Sequence, residues 1–577
     1  MMPSKERMST RCSSILSLVL ISLICASSVV SVCAANEEKS DADVKSSNGA
    51  SAVRPNVLFF GVDDLRPELA SYGFDFMHTP SVTRLAERGT QFNNAYCQLA
   101  VCSPSRTSLL TGRRPDTTRI WTIGPYFRNT MPDGPKIKTM PQWFKEHGYN
   151  TTGIGKIFHP GSSSGGPTKD EGGGDMPYSW SQPYFFCDQF TNDTVQSTAM
   201  QHFPNGTGCV QSEECIECFQ KAGTWGHPIS LAVTDCPDVC YPEGLISNEA
   251  VRRLNYYGQL QRQAEEAGTG GQPFFLAVGF KRPHLAFKAP RKYFDLYPNS
   301  TIKLAKFKQR PKGVPDVAMY MSGEIRGYPD VHPLLNVSAS CETDMPDWKA
   351  LELRQAYYSS VSLTDAHLGL VLDALDSNGL ANNTIIVFWG DHGYQLGEHS
   401  EWGKCTNFEL GTHVPLLISA PSQKQRNTKS SAMVELVDLF PTLTELAGLP
   451  QAPDMEGFSL VPILDDPTQT VKDAAMSQFA REGVCGKKRT PLEESPMGYT
   501  IRTAEFRYTE WVKFNYSLAD PKPIWSENHG TELYLHTGDA ESSMDDFENE
   551  NLAEDTKYAD TVKSLHEKLV TMVENKQ

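Results

Sequence analysis

The sequence predicts an α/β protein: a large, mostly parallel sheet flanked by helices, followed by a smaller C-terminal α+β domain. Three observations carry this. Runs such as Asn56–Val62, Phe274–Gly279 and Ile385–Trp389 are apolar almost throughout, as suits strands covered on both faces. Stretches of helical period alternate with them, the pattern of a doubly wound sheet. From about residue 489 the texture changes: "GYTIRTAEFRYTEWVKFN" and "TELYLHT" alternate like antiparallel strands, and "DTKYADTVKSLHEKLVTMVENK" is an amphipathic helix.

At the N-terminus, residues 1–34 read as a signal peptide. Lys5, Arg7 and Arg11 precede the apolar run Ile15–Ile24, and small residues close it around Val32-Cys33-Ala34. Residues 35–53 are polar and featureless and read as a disordered tether. The expected organisation is therefore leader, tether, a catalytic domain over 54–488 and a C-terminal domain over 489–577. No later segment is apolar enough to span a bilayer. With 577 residues the chain exceeds one small domain. Its formal charge of -16 argues against a nucleic-acid partner. An anionic substrate stays allowed, because exposed charges are screened within about 10 Å and a local basic pocket can dominate.

The first strand, Asn56–Val62, ends in Asp63-Asp64. Two acids at the C-terminal end of a buried strand lie where open α/β sheets keep their ligands, and they invite a cation; a cap or turn is the plain alternative. "TPSVTRLAERGTQFNNAY" gives a helix and a strand that deliver the chain to the Cys102 loop. "MPQWFKEHGYNTTGIGKIFHPG" gives another helix and strand, with Lys156 and His159 just beyond. Such a loop pair is either solvated or part of the same rim. Strand Phe274–Gly279 then ends in Lys281-Arg282-Pro283-His284, a second amine and imidazole at a strand end. A long helix is expected from about Trp348 to Leu375. Strand Ile385–Trp389 leads into Gly390-Asp391-His392-Gly393, with Lys404 further on and a strand at Val414–Ser419.

Residues 161–245 break the alternation with Gly and Ser runs and six cysteines, Cys187, Cys209, Cys215, Cys218, Cys236 and Cys240. The spacing would also pass for a zinc site, but a secreted chain favours disulfides, so this reads as a stapled insertion over the active-site face. Of 14 cysteines, three leave with the leader and Cys102 is set aside for chemistry, which leaves an even ten. Glycosylation sequons at Asn192, Asn205, Asn299, Asn336, Asn382 and Asn515 agree with a secretory route. Asn150 also fits the pattern but abuts a buried strand.

One stretch organises the rest: Cys102-Ser103-Pro104-Ser105-Arg106, running to Thr111-Gly112-Arg113. It places a thiol at the start of a short helix that stops at a glycine. Free N–H groups, the helix dipole and Arg106 would favour an anion there. This pattern resembles the signature of type I sulfatases, in which the cysteine is oxidised to formylglycine. The flanking "QLAVCSPSRTSLLTGRRPDTTRIW" is similar to the iduronate-2-sulfatase branch in particular.

The resemblance implies the alkaline-phosphatase-like sulfatase fold and a formylglycine-generating enzyme as a partner during biosynthesis. It implies a divalent metal held by Asp63, Asp64, Asp391, His392 and the residue at 102. Ca²⁺ is the expected ion, although the His392 nitrogen also suits Mn²⁺ or Zn²⁺. The hydrated aldehyde would attack sulfur, with Lys156, Lys404 and Arg106 meeting the charge on the transferring group. His284 would protonate the leaving sugar oxygen and His159 would take a proton from the second hydroxyl. Tyr394, Lys404 and Arg502 resemble residues of an iduronate pocket, Arg502 being equally readable as a buried ion pair. The expected activity is removal of 2-O-sulfate from iduronate of glycosaminoglycans, in the lysosome or outside the cell. Other sulfated polysaccharides, or phosphonate and phosphate esters, remain as the alternative substrates.

Overall fold

The computed structural model describes residues 54–166, 173–186, 212–224, 228–337, 342–483, 490–536 and 547–575. The expected leader and tether lie outside these, as do Asn192, Asn205, Cys187, Cys209, Cys341 and Cys485. Seven strands form the central sheet: β1 (Asn56–Val62), β2 (Thr90–Tyr96), β3 (Asn150–Gly155), β4 (Phe274–Phe280), β5 (Thr384–Gly390), β6 (His413–Ser419) and β7 (Thr428–Glu435). Their spatial order is β7-β2-β6-β5-β1-β4-β3. Neighbours pair in parallel, except that β6 runs antiparallel to β2 and β5 beside it.

The three middle strands, β5, β1 and β4, are buried at every position. Alternate residues therefore feed two cores. Leu58, Phe60 and Val62 face one, which they share with the long helices Pro242–Glu266 and Asp347–Ser377. Val57 and Phe59 face the other, shared with Leu109 and Leu110 of helix Cys102–Thr111. Each such side chain contributes about 1.5–3 kcal/mol by leaving water, so the strand ends sit on a stiff platform.

The insertion is stapled as expected: Cys215 bonds Cys240 and Cys218 bonds Cys236. Loops of 25 and 18 residues correspond to about 3 kcal/mol each in the chain-entropy picture. The even cysteine count does not translate into complete pairing, because Cys97 and Cys405 are free thiols.

The C-terminal sheet is an antiparallel meander of β8 (Ala475–Ala480), β9 (Met497–Arg502), β10 (Phe506–Asn515) and β11 (Lys522–Leu535). Helix Ala559–Glu574 packs on it through Leu565, Leu569 and Met572. The sheet thus takes its first strand from before residue 489. The change of texture seen there marks a connection between two paired strands, since β8 pairs β9 from Ala475↔Arg502 to Ala480↔Met497.

Candidate active site

Parallel register sets up the site. Val62 lies opposite Phe280 of β4 and Gly390 of β5, so the next residues, Asp63 and Asp391, emerge side by side. Gly155 of β3 lies opposite Gly279, and a Cβ on Gly155 would sit 2.0 Å from the Gly279 carbonyl. Two glycines therefore let these strand ends touch and bring Lys156 to the same rim. Helix Cys102–Thr111 aims its first residue at this rim; Gly112, at φ 65°, ends it in the left-handed conformation. Ser105 Oγ donates to the Asp391 carbonyl at 2.5 Å, which ties the helix to the end of β5.

Four predicted ligands meet there. One ligand atom each from Asp63, Asp391, His392 and Cys102 lies within 4.8 Å of the others, and all four residues are buried. Asp64 joins Asp63, Cys102 and His284 in a second, overlapping group of the same size. Asp64 adopts φ 57°, left-handed for a non-glycine residue, at a backbone cost of order 1–3 kcal/mol. Its N–H donates to Asp391 Oδ1 at 3.0 Å, and that bond helps hold the turn. His392 Nδ1 lies 2.9 Å from the Gly393 carbonyl, which can only accept, so Nδ1 carries the hydrogen and Nε2 presents a lone pair. That Nε2 is 3.3 Å from Cys102 Sγ and 3.3 Å from Asp64 Oδ1.

The surrounding cations are assigned one by one. Lys156 Nζ reaches Asp63 Oδ2 at 2.5 Å, and Lys404 Nζ reaches Asp64 at 2.8 and 3.0 Å and Cys102 Sγ at 3.7 Å. Arg106 donates to Asp391 Oδ2 at 2.8 Å, to Asp63 Oδ1 at 3.2 Å and to the carbonyls of Lys156 and Ile157. Its guanidinium also stacks on Trp389, 5.3 Å from the ring centre. Arg106, with its side chain 1 % exposed, thus has its guanidinium engaged by the carboxylates and by main-chain carbonyls. Burial, with Asp63 adding to it, pushes the Cys102 thiol well above its ordinary value.

Charge at the two neighbouring acids divides. Burial pushes both up, but Lys156, with His284, Arg106 and Lys404 behind it, outweighs this and holds Asp63 well below the usual carboxylate range. Asp64 stays well above that range, since burial, Asp63, Glu324 and Asp391 together exceed the help from Lys404. A carboxyl so placed ionises readily only beside additional positive charge. Three carboxylates and an imidazole lone pair converging out of water fit a hard divalent cation that also tolerates one nitrogen.

His284 and His159 flank this centre. His284 Nδ1 lies 2.7 Å from the Leu285 carbonyl and Nε2 lies 3.2 Å from Glu324 Oε1. His159 Nδ1 lies 3.0 Å from the Pro160 carbonyl and 3.0 Å from Ser163 Oγ. Burial and Lys156 lower the His159 imidazole to about 3, so it is neutral. Tyr394 is fully buried, its ring stacked 5.8 Å from that of Tyr357, and its hydroxyl has no hydrogen-bond partner among the described residues. Arg502 lies in a buried ion pair. Its Nε donates to Glu409 at 3.2 Å inside a buried cluster that also joins Arg507, Glu548 and His536. Glu324, which contacts both His284 and Lys404, went unread in the sequence because its loop has neither periodicity nor a strand end.

The chain matches the family model for sulfatases over residues 55–449, and that for the C-terminal part of N-sulphoglucosamine sulphohydrolase over 397–514. It is 35 % identical over 539 residues to human iduronate 2-sulfatase, covering 84 % of this chain and 89 % of that one, and 34 % identical over 565 residues to the mouse protein, covering 88 % and 93 %. Among solved structures it shares its fold with the phosphonate monoester hydrolase of Silicibacter pomeroyi, at a TM-score of 0.65 and 19 % identity over 91 % of this chain and 96 % of that one. With the signature helix, the converging carboxylates and the extent of these matches all in agreement, the chain belongs to the sulfatase family.

Proposed function

We propose that this protein hydrolyses the 2-O-sulfate ester of iduronate at the non-reducing end of sulfated glycosaminoglycans. The observation that carries the reading is Cys102, at a helix start, facing Asp63, Asp64, Asp391, His392 and Lys404 within one buried rim. The extent of likeness to the iduronate 2-sulfatases supports the choice of sugar.

In this reading Cys102 is first oxidised to formylglycine, whose hydrate supplies both the attacking oxygen and a second hydroxyl through which sulfate can later be expelled. Asp63, Asp64, Asp391 and His392 would hold a divalent cation, with Ca²⁺ favoured by the three carboxylates; when bound it would polarise the ester and favour the ionised nucleophile. Lys404 and Lys156 place positive charge at the pocket wall, where negative charge gathers on the sulfuryl oxygens as the ester breaks. His284 delivers a proton to the sugar oxygen as the sulfur–oxygen bond opens. His159, neutral and with its Nε2 lone pair available, receives the proton given up at position 102 when sulfate leaves.

The reading includes a lysosomal or extracellular setting, supported by the leader-like N-terminus and the two disulfides. No described helix is long and apolar enough to cross a membrane. The test is sulfate release from an iduronate 2-sulfate disaccharide, against aryl phosphates and phosphonates, by protein whose Cys102 peptide is read by mass spectrometry. Formylglycine at 102 with turnover of the disaccharide is expected; preferred turnover of a phosphorus ester, or an unmodified cysteine in active protein, would overturn the reading.

A further inference from the structure

We propose that Glu324 is a positioning residue for the reaction: anchored by Lys404, its carboxylate holds the His284 ring in a fixed orientation at the pocket edge. The inference rests on the reading of His284 as the proton donor.

The geometry is specific. The Leu285 carbonyl 2.7 Å from His284 Nδ1 can only accept, so Nδ1 carries a hydrogen. The opposite ring nitrogen, Nε2, faces Glu324 Oε1 at 3.2 Å, so the carboxylate fixes which way the ring is turned. The other carboxylate oxygen, Oε2, meets Lys404 Nζ at 3.2 Å. One side chain thus links the amine beside Cys102 to the imidazole at the pocket edge. At 28 % side-chain exposure its carboxylate is reached from solvent.

The loop carrying Glu324 is itself fixed by the segment that presents Lys404. Trp402 N–H donates to Ser322 Oγ at 2.9 Å, and the Tyr320 N–H donates to Glu401 at 2.7 Å. The Glu324 N–H donates to the Tyr320 hydroxyl at 3.1 Å, and Ser322 turns the chain at φ 50°. Two loops that contribute Glu324 and Lys404 are thereby locked together before substrate arrives, the arrangement that lets a donor meet its acceptor without reorganising. A carboxylate that only filled space would need neither oxygen placed on a specific nitrogen.

The experiment is a double-mutant cycle on the full-length modified protein: Glu324→Gln, His284→Ala and the pair, assayed for kcat and KM on the iduronate 2-sulfate disaccharide, with melting temperatures. Expected is a fall in kcat of about tenfold or more for E324Q with KM within about twofold, and a larger fall for H284A. Adding E324Q to H284A should then cost less than about twofold, because the ring it positions is gone. Glu324→Asp, which keeps the charge, should fall between E324Q and wild type, and stands in for E324Q if the latter melts early. A kcat for E324Q at or above the wild-type value, a change confined to KM, or the full E324Q loss persisting in H284A overturns the role of Glu324. Wild-type kcat in H284A overturns instead the assignment of His284, and absence of disaccharide turnover by the wild type overturns the proposed activity.

Discussion

Glu401→Gln should flatten the pH dependence of stability. Glu401 sits three residues before Lys404 and is wholly buried. Its Oε1 accepts from the Tyr320 N–H at 2.7 Å and its Oε2 from the Gln395 side chain at 2.5 Å. Burial raises its carboxyl from 4.5 to about 8, with Glu532 adding to this and Arg481 opposing it. Arg481 itself donates to the carbonyls of Val317, Ala318 and Cys405. A carboxyl raised in the folded state stabilises fully below its unfolded value and loses that advantage as pH climbs towards the folded value. The window is therefore about pH 4.5 to 8. A shift of that size is worth at most about 5 kcal/mol at 1.4 kcal/mol per unit, and relaxation of the site brings the expected figure to a few kcal/mol. Glutamine mimics the protonated acid, and Gln395 Oε1, which lacks a partner, can accept from it after an amide flip. The assay is urea unfolding at pH 5 and pH 8. Wild type should lose a few kcal/mol between them, and E401Q markedly less. Equal losses in both proteins would refute the assignment of the buried proton to Glu401.

Cys102→Ser should take up one sulfuryl group and then stall, with sustained turnover down about 10³-fold or more; mass spectrometry of the intact protein after brief incubation checks it. Arg106→Lys cannot bridge Asp63 and Asp391 as the guanidinium does, so calcium affinity, measured by titration calorimetry, should fall about 10–100-fold. Arg502→Ala should cost about 3 kcal/mol of stability, because it removes a partner of buried Glu409, and leave KM for the disaccharide within about twofold; a large KM rise at unchanged stability would restore its substrate-binding role. Chelation should abolish turnover, and added calcium should restore it while raising the melting temperature.

The parts of the site that lie one or two residues beyond buried strands were legible without coordinates. Asp63 and Asp391 follow runs whose apolar continuity announces a covered parallel strand, and such strands present their ends on one rim. What the pattern could not convey was direction. Arg106 is in the signature, yet whether its guanidinium points at substrate or at the carboxylates depends on Trp389 and the Lys156 carbonyl, which are distant in sequence. Arg502 had two readings because its partner Glu409 lies 93 residues away. The edge strand β7 was missed for a different reason: "TKSSAMVE" is mostly polar, as the edge of a sheet permits. Glu324 was invisible, its place fixed by hydrogen bonds from Tyr320 and Ser322 and not by any repeat.

Cys102 is 1 % exposed, and every residue of the helix it begins is buried as well. A catalyst that oxidises this thiol has to reach it, and the folded molecule closes the way. Under the proposed oxidation of Cys102, maturation would be a race against folding, won only while the chain is still open. Molecules that close first would be well folded, secreted on schedule and permanently inert, so a preparation's specific activity would record how that race was run as much as how good the catalyst is.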